Sequence, residues 1–258
     1  MTILLVGCGR MGSAMAKGWI GRERVLVHDP VAEPPEGTER LDMIDPAKLP
    51  DDLILVLAVK PQVFASVAPM LRPLAERGAL VLSIMAGVTL AGLQGALGGN
   101  GRIVRTMPNT PAAIGAGITA AVPGAGVSAA DVETVGQLIA ATGALVWLDE
   151  EGDLDAVTAV SGSGPAYFFR FTEALARAGE AAGLSSDLAM RLARATFTGS
   201  AALAGRDDAP LSALRVQVTS PGGTTAAGLA VMDADGAIDR LAGDVVAAAA
   251  HRSRELAG

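Results

Sequence analysis

The strongest chemical signal in the chain is a turn with three glycines close to its start. Residues 7–12 read G-C-G-R-M-G and follow the apolar run Ile3–Val6. Gly7 permits a tight turn, Gly9 lets a pyrophosphate approach the backbone, and Gly12 lets a helix pack closely on the strand. The helix that follows directs its free N–H groups and positive dipole end at the phosphates. This arrangement predicts a dinucleotide-binding site.

An acidic residue follows the second apolar run. The run Val25–His28 ends next to Asp29. An acid about 20 residues after a G-x-G-x-x-G turn accepts a hydrogen bond from the ribose 2′-hydroxyl of a bound dinucleotide. We therefore expect Asp29 to bind ribose. The alternative is that the region is an ordinary glycine-rich turn between a strand and a helix.

Two further clusters lie at the ends of predicted strands. Ala58–Gln62 reads A-V-K-P-Q, and Met107–Pro111 reads M-P-N-T-P. Because open α/β sheets bind ligands at the carboxyl ends of their strands, Lys60 is a candidate to meet a phosphate or carboxylate. Two prolines stiffen the loop around Asn109, whose amide both donates and accepts, so the loop suits a nicotinamide pocket. The alternatives are a solvated lysine before a helix and a plain turn.

Two segments in the second half are rich in glycine and hydroxyl groups. Residues 159–167 read A-V-S-G-S-G-P-A-Y and open a long predicted helix, and residues 218–226 read V-T-S-P-G-G-T-T-A. The second segment presents backbone N–H groups and hydroxyls at a helix N-terminus, which suits a carboxylate. A flexible glycine loop with capping residues is the alternative.

The lysines are confined to the first 60 residues, as Lys17, Lys48 and Lys60. The second half therefore has no lysine to act as an acid or base, whereas hydroxyacid dehydrogenases of related architecture use one there. Its hydroxyls, backbone N–H groups and lone Tyr167 suit a substrate that arrives with its proton, such as an iminium ion. Hydride addition to such an ion gives an amine without a strong acid on the enzyme.

Apolar runs alternate with helical patterns through the first half, which predicts a doubly wound α/β domain with a mostly parallel sheet. The predicted strands are Ile3–Val6, Val25–His28, Leu53–Ala58, Ala79–Ile84, Ile103–Thr106, Gly117–Val122 and Ala144–Trp147. The predicted helices between them are Gly12–Ile20, Gln62–Glu76, Leu90–Leu97 and Ala129–Ala141.

After Asp149–Asp153 the patterns are helical, and we place the domain boundary between residues 151 and 152. The predicted helices are Leu154–Ala159, Gly164–Ala182, Ser186–Ala204, Pro210–Gln217, Thr224–Ala234 and Ile238–Leu256. Several are apolar on most sides, so they must be buried on several sides. We expect a partner subunit with helices interleaved across a two-fold axis. The alternative is a compact bundle that tolerates alanine on its surface.

Composition excludes several function classes. The net charge is −7 without a cluster of Lys or Arg, which argues against a nucleic-acid partner. No apolar run approaches the roughly 20 residues that span a bilayer, and the first residues resemble a strand and not a signal peptide. Cys8 is the only cysteine, and the two histidines stand outside any ligand-spaced cluster. We expect a cytoplasmic protein with no metal site and no membrane partner.

Together these segments resemble the pyrroline-5-carboxylate reductase family. The matching residues are 7–12, 58–62, 107–111, 160–167 and 218–225, in order and across most of the chain. The resemblance implies a Rossmann domain, residues 1–151, followed by an all-α dimerisation and substrate-binding domain, residues 152–258. It implies NADPH- or NADH-dependent reduction of L-1-pyrroline-5-carboxylate to L-proline, the last step of proline biosynthesis. It also implies homodimers that in some members assemble into decameric rings.

The resemblance also implies roles for individual residues. The Thr225 hydroxyl would meet the ring nitrogen and is the implied catalytic group. The implied substrate-carboxylate residues are Ser220, Gly223, Thr224 and Thr225. The implied cofactor-binding residues are Gly7, Cys8, Gly9, Arg10, Met11, Gly12, Asp29, Ala58, Val59, Lys60, Pro61, Met107, Pro108 and Asn109.

The choice of cofactor and the choice of substrate each have an alternative. Many family members carry Ser, Asn or Arg after the second strand to hold the 2′-phosphate of NADPH, whereas this chain has Asp29. An acid repels that phosphate, so NADH is favoured, and a side chain that points away would leave NADPH open. The rival functions are another cyclic-imine or β-hydroxyacid-type reductase of this architecture, and a non-catalytic dinucleotide-binding scaffold.

Overall fold

The computed structural model describes residues 1–206 and 208–257. Strands and helices alternate through the first 147 residues. The strands are β1 (Thr2–Val6), β2 (Arg24–His28), β3 (Glu39–Arg40), β4 (Leu53–Leu57), β5 (Leu80–Ser83), β6 (Ile103–Met107), β7 (Gly117–Pro123) and β8 (Gly143–Trp147). The helices are α1 (Arg10–Trp19), α2 (Pro61–Glu76), α3 (Leu90–Ala96) and α4 (Ala129–Ala140).

All eight strands form one sheet in the order β3-β2-β1-β4-β5-β6-β7-β8. Neighbouring strands are parallel throughout, except that β6 and β7 are antiparallel. The connection from β6 to β7 is residues 108–116, shorter than the roughly twelve residues that a parallel crossover needs. The chain therefore reverses direction there, and the carboxyl end of β6 lies beside the start of β7.

Each face of the sheet has its own apolar core. Leu55, Leu71 and Val81 belong to the core beneath α2 and α3. Trp19 and Ile139, from α1 and α4, belong to the core on the opposite face. Strands β1 and β4 are buried on both faces, which explains why they read as continuous apolar runs.

Beyond residue 152 the described chain is helical. The helices are α5 (Asp153–Val157), α6 (Gly164–Ala181), α7 (Ser186–Ala204), α8 (Leu211–Gln217), α9 (Thr224–Asp233) and α10 (Ala237–Ala257). One π-helical turn, Thr158–Gly162, follows α5 and overlaps the end of the predicted helix Leu154–Ala159. The predicted elements are otherwise confirmed, with ends shifted by at most two residues, and the fold class is the predicted one. The short strand β3 has no counterpart in the prediction.

Contacts divide the chain into two compact units. Met1–Ser163, together with the end of the chain from Ala248, forms the sheet unit, and Gly164–Ala247 forms the helical unit. The boundary between residues 151 and 152 falls just before α5 and stays a prediction. In the described part of the chain, no helix has the length and apolar content that a membrane crossing requires.

Candidate active site

The glycine turn joins β1 to α1 and leaves no room for side chains at two of its glycines. Gly7 has a positive φ of 95°, and a Cβ there would stand 2.6 Å from the carbonyl carbon of Ala58. A Cβ on Gly12 would overlap the carbonyl oxygen of Gly7. The backbone of Gly7 also donates to the carbonyl of His28 at 2.9 Å. The turn, the start of α1 and the ends of β2 and β4 are therefore in close contact.

The third glycine of the turn faces open space. A Cβ on Gly9 would meet nothing within 4 Å, and Gly9 precedes the first turn of α1. Arg10 beside it is exposed, whereas Met11 packs against the core under α1. The absence of a side chain thus keeps the space in front of the helix N-terminus clear, and this space suits a pyrophosphate.

The Asp29 carboxylate accepts hydrogen bonds from the backbone of the glycine turn and from the backbone just after β2. Its Oδ2 accepts from the Cys8 N–H at 2.6 Å, and its Oδ1 accepts from the N–H groups of Val31 and Ala32 at 2.8 Å each. Burial alone would raise the pKa of Asp29, but these three donors outweigh it and hold the pKa below its ordinary value. The ionised carboxylate therefore ties the end of β2 to the glycine turn.

Cys8 lies inside the same turn and is closed to solvent. Burial first, and then the charge of Asp29, raise the pKa of the Cys8 thiol. A buried thiol with a raised pKa stays protonated and unreactive. Cys8 therefore contributes its backbone N–H and its small volume to the turn.

The A-V-K-P-Q segment lies at the carboxyl end of β4, next to the glycine turn. The N–H of Ala58 donates to the carbonyl of Val6 at 2.8 Å. Val59 is half-buried, and Lys60 is exposed at the start of α2 with Pro61 in the first turn. Lys60 forms no ion pair with any residue in the described ranges, so its ammonium group is available to an anion.

The M-P-N-T-P segment continues from β6 and is buried from Met107 to Asn109. The Asn109 Oδ1 accepts from the backbone N–H of Ile118 at 3.0 Å. Its Nδ2 donates to the Ser161 Oγ at 3.2 Å, in the π-helical turn. The role of Asn109 beside a nicotinamide stays a prediction. The structure shows that its amide joins β7 to that turn.

A partly buried ion pair near this loop was not predicted from the sequence. The Arg105 guanidinium on β6, 7% exposed, donates to the Glu151 Oε1 at 2.7 Å. The same oxygen accepts from the N–H of Leu90 at the start of α3, also at 2.7 Å. Glu151 lies within the acidic run 149–153, which the sequence analysis treats only as the border between domains. An arginine within a predicted strand was the available signal.

The segment implied as the substrate loop lies in the helical unit. Gly222 has a φ of 69°, and the N–H of Gly223 donates to the carbonyl of Ser220 at 3.0 Å, which closes a tight turn. Helix α9 begins directly afterwards, at Thr224. The side chains of Ser220, Thr224 and Thr225 are exposed within the single chain. Three exposed hydroxyls therefore lie within six residues of one another, in the turn and the first residues of a ten-residue helix.

Comparison with known proteins agrees with this arrangement. A family model described as pyrroline-5-carboxylate reductase dimerisation matches residues 151–256. The pyrroline-5-carboxylate reductase of Pseudomonas aeruginosa is 39% identical over 264 residues, which cover 99% of this chain and 96% of the relative. The chain belongs to the pyrroline-5-carboxylate reductase family. The enzyme of Glycine max is 38% identical and covers 99% of this chain and 96% of its own length.

Solved structures of pyrroline-5-carboxylate reductases share the fold over the whole chain. The structure from Coxiella burnetii superposes with a TM-score of 0.90 at 31% identity and covers 99% of this chain and 98% of its own. The structure from Plasmodium falciparum, which has NADP bound, superposes with a TM-score of 0.82 at 28% identity, covering 100% and 98%. Membership of the pyrroline-5-carboxylate reductase family thus extends to both units.

Proposed function

We propose that the chain catalyses the reduction of L-1-pyrroline-5-carboxylate to L-proline with a reduced nicotinamide dinucleotide. The observation that carries this proposal is the near-complete, 39% identical match to a pyrroline-5-carboxylate reductase. The structure supports it through an open glycine turn at the carboxyl edge of the sheet and a hydroxyl-rich loop before α9. This reaction would complete proline biosynthesis. The single cysteine, which is buried, agrees with a place in the cytoplasm.

We assign the cofactor to the sheet unit. The space over Gly9 and the first turn of α1 would hold the pyrophosphate, with Arg10 exposed beside it. Lys60 and the Met107–Asn109 segment would border the nicotinamide end, at the carboxyl ends of β4 and β6. The bound cofactor supplies a hydride, and the residues of the chain hold the reacting atoms in place and exclude water.

We assign the substrate carboxylate to the loop before α9. The hydroxyls of Ser220 and Thr224 and the N–H groups of the first turn are donors, and the helix dipole favours a negative group there. The Thr225 hydroxyl would meet the ring nitrogen and orient the imine. Because the imine arrives protonated, no strong acid is required, which agrees with the absence of lysine after residue 60.

We propose that NADH is preferred over NADPH. Asp29 is ionised, and the 2′-phosphate of NADPH would face its negative charge. Three backbone N–H groups occupy three of the roughly four lone-pair positions of the carboxylate, and the fourth remains for a ribose hydroxyl. The N–H groups of Val31 and Ala32 are already bonded to Asp29 and would have to leave it to hold a phosphate.

The test follows the absorbance of the reduced cofactor with racemic pyrroline-5-carboxylate, using NADH and NADPH in parallel. We expect oxidation that yields proline, with a higher kcat/KM for NADH. Thr225→Ala should lower kcat/KM with little change in cofactor affinity. Thr134→Ala is the matched control, because among the described residues the Thr134 hydroxyl bonds only within α4, to the carbonyl of Ala130.

Three results would contradict parts of the proposal. Cofactor binding without oxidation would favour another cyclic imine as substrate, or a scaffold. A kcat/KM for NADPH well above that for NADH would refute the role given to Asp29. An unchanged kcat/KM in Thr225→Ala would remove Thr225 from the mechanism.

A further inference from the structure

The hydrogen bonds of the Asn109 side chain have a fixed direction. The Ile118 backbone N–H can only donate, so the atom of the Asn109 amide that faces it at 3.0 Å must be the oxygen. The amide nitrogen therefore faces Ser161, 3.2 Å from its Oγ. An amide nitrogen cannot accept a hydrogen bond, so the Ser161 oxygen must be the acceptor.

This direction determines what the Ser161 hydroxyl can do next. A serine hydroxyl carries one hydrogen, and that hydrogen is not used in the bond from Asn109. Within residues 1–206 and 208–257, the bond from Asn109 is the one hydrogen bond that the Ser161 side chain makes. Asn109 thus leaves Ser161 as an oriented donor without an acceptor.

The surroundings of Ser161 are typical of a ligand site. Ser161 borders an apolar groove of about 320 Å³, formed by side chains such as Ile118, Val146 and Val157. Among the described residues that line this groove, Ser161 alone has a polar side chain. Ligand sites combine mostly apolar walls with a few placed polar groups.

The local backbone gives an independent indication. Ser161 lies in the π-helical turn Thr158–Gly162, closed by the Ser163 N–H donating to the carbonyl of Thr158 at 2.8 Å. Such turns are rare and occur frequently at functional sites. The turn also lies against the M-P-N-T-P segment, because a Cβ on Gly162 would lie 3.6 Å from the Met107 sulfur.

We propose that Ser161 is a ligand-binding residue whose hydroxyl donates to an oxygen on a small ring, and that Asn109 is the residue that positions it. The ligand class is an apolar ring that carries a carbonyl or carboxylate oxygen. The carboxamide of nicotinamide and the carboxylate of the pyrroline both have this chemistry. That choice of ligands rests on the proposed function, whereas the orientation of Ser161 rests on the hydrogen bonds alone.

The decisive variant is Asn109→Asp, which reverses one hydrogen bond without removing any volume. The introduced carboxylate still accepts from Ile118, but it has no N–H and can bond Ser161 only by taking the hydroxyl hydrogen. We expect kcat/KM to fall by about tenfold in Asn109→Asp and in Ser161→Ala, because each variant loses one hydrogen bond to the ligand. The double variant should fall no further than either single variant, because both remove the same donor.

Two controls separate positioning from a structural role. Ser161→Thr keeps a hydroxyl and should retain most of the activity. Ser66→Ala is a matched serine deletion on α2. In the part of the chain that the structure describes, the Ser66 hydroxyl bonds only to the carbonyl of Val63, so the variant should not change kcat/KM. The melting temperature of Asn109→Asp should stay within a few degrees of the unmodified chain, since both its partners remain bonded.

The affinity constants identify the ligand. A rise in the Kd of the reduced cofactor, measured by its fluorescence without substrate, would assign the acceptor to the nicotinamide carboxamide. A rise confined to the KM for pyrroline-5-carboxylate would assign it to the substrate. Either result supports the proposal.

Full activity in Ser161→Ala would overturn the proposal, and so would losses that multiply in the double variant. A loss in the single variants that is confined to kcat, or a melting temperature that falls together with activity, would also overturn it. An unmodified chain that does not reduce the pyrroline would instead count against the proposed function. In that case, the Kd of the cofactor in the two variants still tests the role of Ser161.

Discussion

The sheet unit and the helical unit bury very different side chains. In the sheet unit, large residues such as Trp19, Leu55 and Leu71 are fully buried in cores on both faces of the sheet. In the helical unit, the buried side chains in the described residues are small, for example Ala176, Ala189 and Thr172. Most of its large apolar side chains are exposed within the single chain. They include Phe168, Phe169, Phe171, Leu175, Leu192, Leu203, Val231 and Leu241.

This difference shows that the two units reach stability in different ways. The sheet unit completes its own core, as a domain of about 150 residues is able to do. The helical unit brings α6 and α7 close together through small residues, with a Cβ on Gly179 placed 3.3 Å from that of Ala189. Its outward apolar faces remain for another surface. We infer that a second copy of the chain covers them, in line with the dimerisation family that residues 151–256 match.

The largest expected effect comes from placing a charge on that outward face. Phe171→Glu would bury an unpaired carboxylate between the two copies, and we expect the dimer and its activity to be lost. Phe171 is 52% exposed in the single chain. Light scattering coupled to gel filtration measures the mass. Met43→Glu is the control, because Met43 is 75% exposed in the sheet unit. A dimer mass retained by Phe171→Glu would refute the inferred interface.

The second prediction compares the same substitution in the two units. Leu71→Ala, in the core of the sheet unit, should cost about 3 kcal/mol of unfolding free energy at any protein concentration. Leu175→Ala lies on the outward face, 47% exposed in the single chain, and its cost should depend on concentration because it acts through association. Denaturant unfolding at several protein concentrations measures both. A concentration-independent cost for Leu175→Ala would mean that the helical unit is stable without a partner.

The smallest expected effect tests how completely the sheet unit pairs its charges. The Arg102 guanidinium hydrogen-bonds Asp131, which also forms the capping box of α4 with Ser128, and together they lower the Asp131 pKa to about 2. The unfolded value is about 3.9, so this stabilisation is complete above about pH 4 and is lost as the pH falls towards 2. It amounts to about 2 kcal/mol.

The measurement is the free energy of unfolding of Asp131→Asn between neutral pH and pH 2. The variant should be less stable at neutral pH and should lose the acid-dependent slope. Glu39→Gln is the control, because the Arg24–Glu39 pair is more than half exposed and should contribute little to that slope. Equal slopes in Asp131→Asn and the unmodified chain would contradict the assignment.

The sequence predicts well where one physical rule determines the structure. Short continuous apolar runs that alternate with helical patterns are typical of strands inside a sheet covered on both faces, and these runs are the observed β1, β4 and β5. A side chain at Gly12 would collide with Gly7, and one at Gly7 would collide with the end of the neighbouring strand. Because both contacts belong to one local turn, the spacing of the glycines in the sequence predicts it. The domain boundary and the roles of the site residues stay predictions.

The features that the sequence does not reveal depend on contacts between distant residues. Arg105 and Glu151 are 46 positions apart, and Asn109 and Ser161 are 52 apart. The π-helical turn Thr158–Gly162 differs from an α-helix in its backbone hydrogen bonds, which the hydrophobic pattern of the sequence does not show. The antiparallel β7 could have been inferred, because residues 108–116 are too few for a parallel crossover.

The most direct test of the proposed reaction follows the transferred hydrogen. The chain is incubated with pyrroline-5-carboxylate and NADH that is deuterated at both positions of its reactive ring carbon, and the proline is analysed by mass spectrometry and NMR. We predict one deuterium per proline, on the ring carbon that was the imine carbon. Proline without deuterium, deuterium at another carbon, or no proline from a chain that binds NADH would contradict direct hydride transfer to the imine.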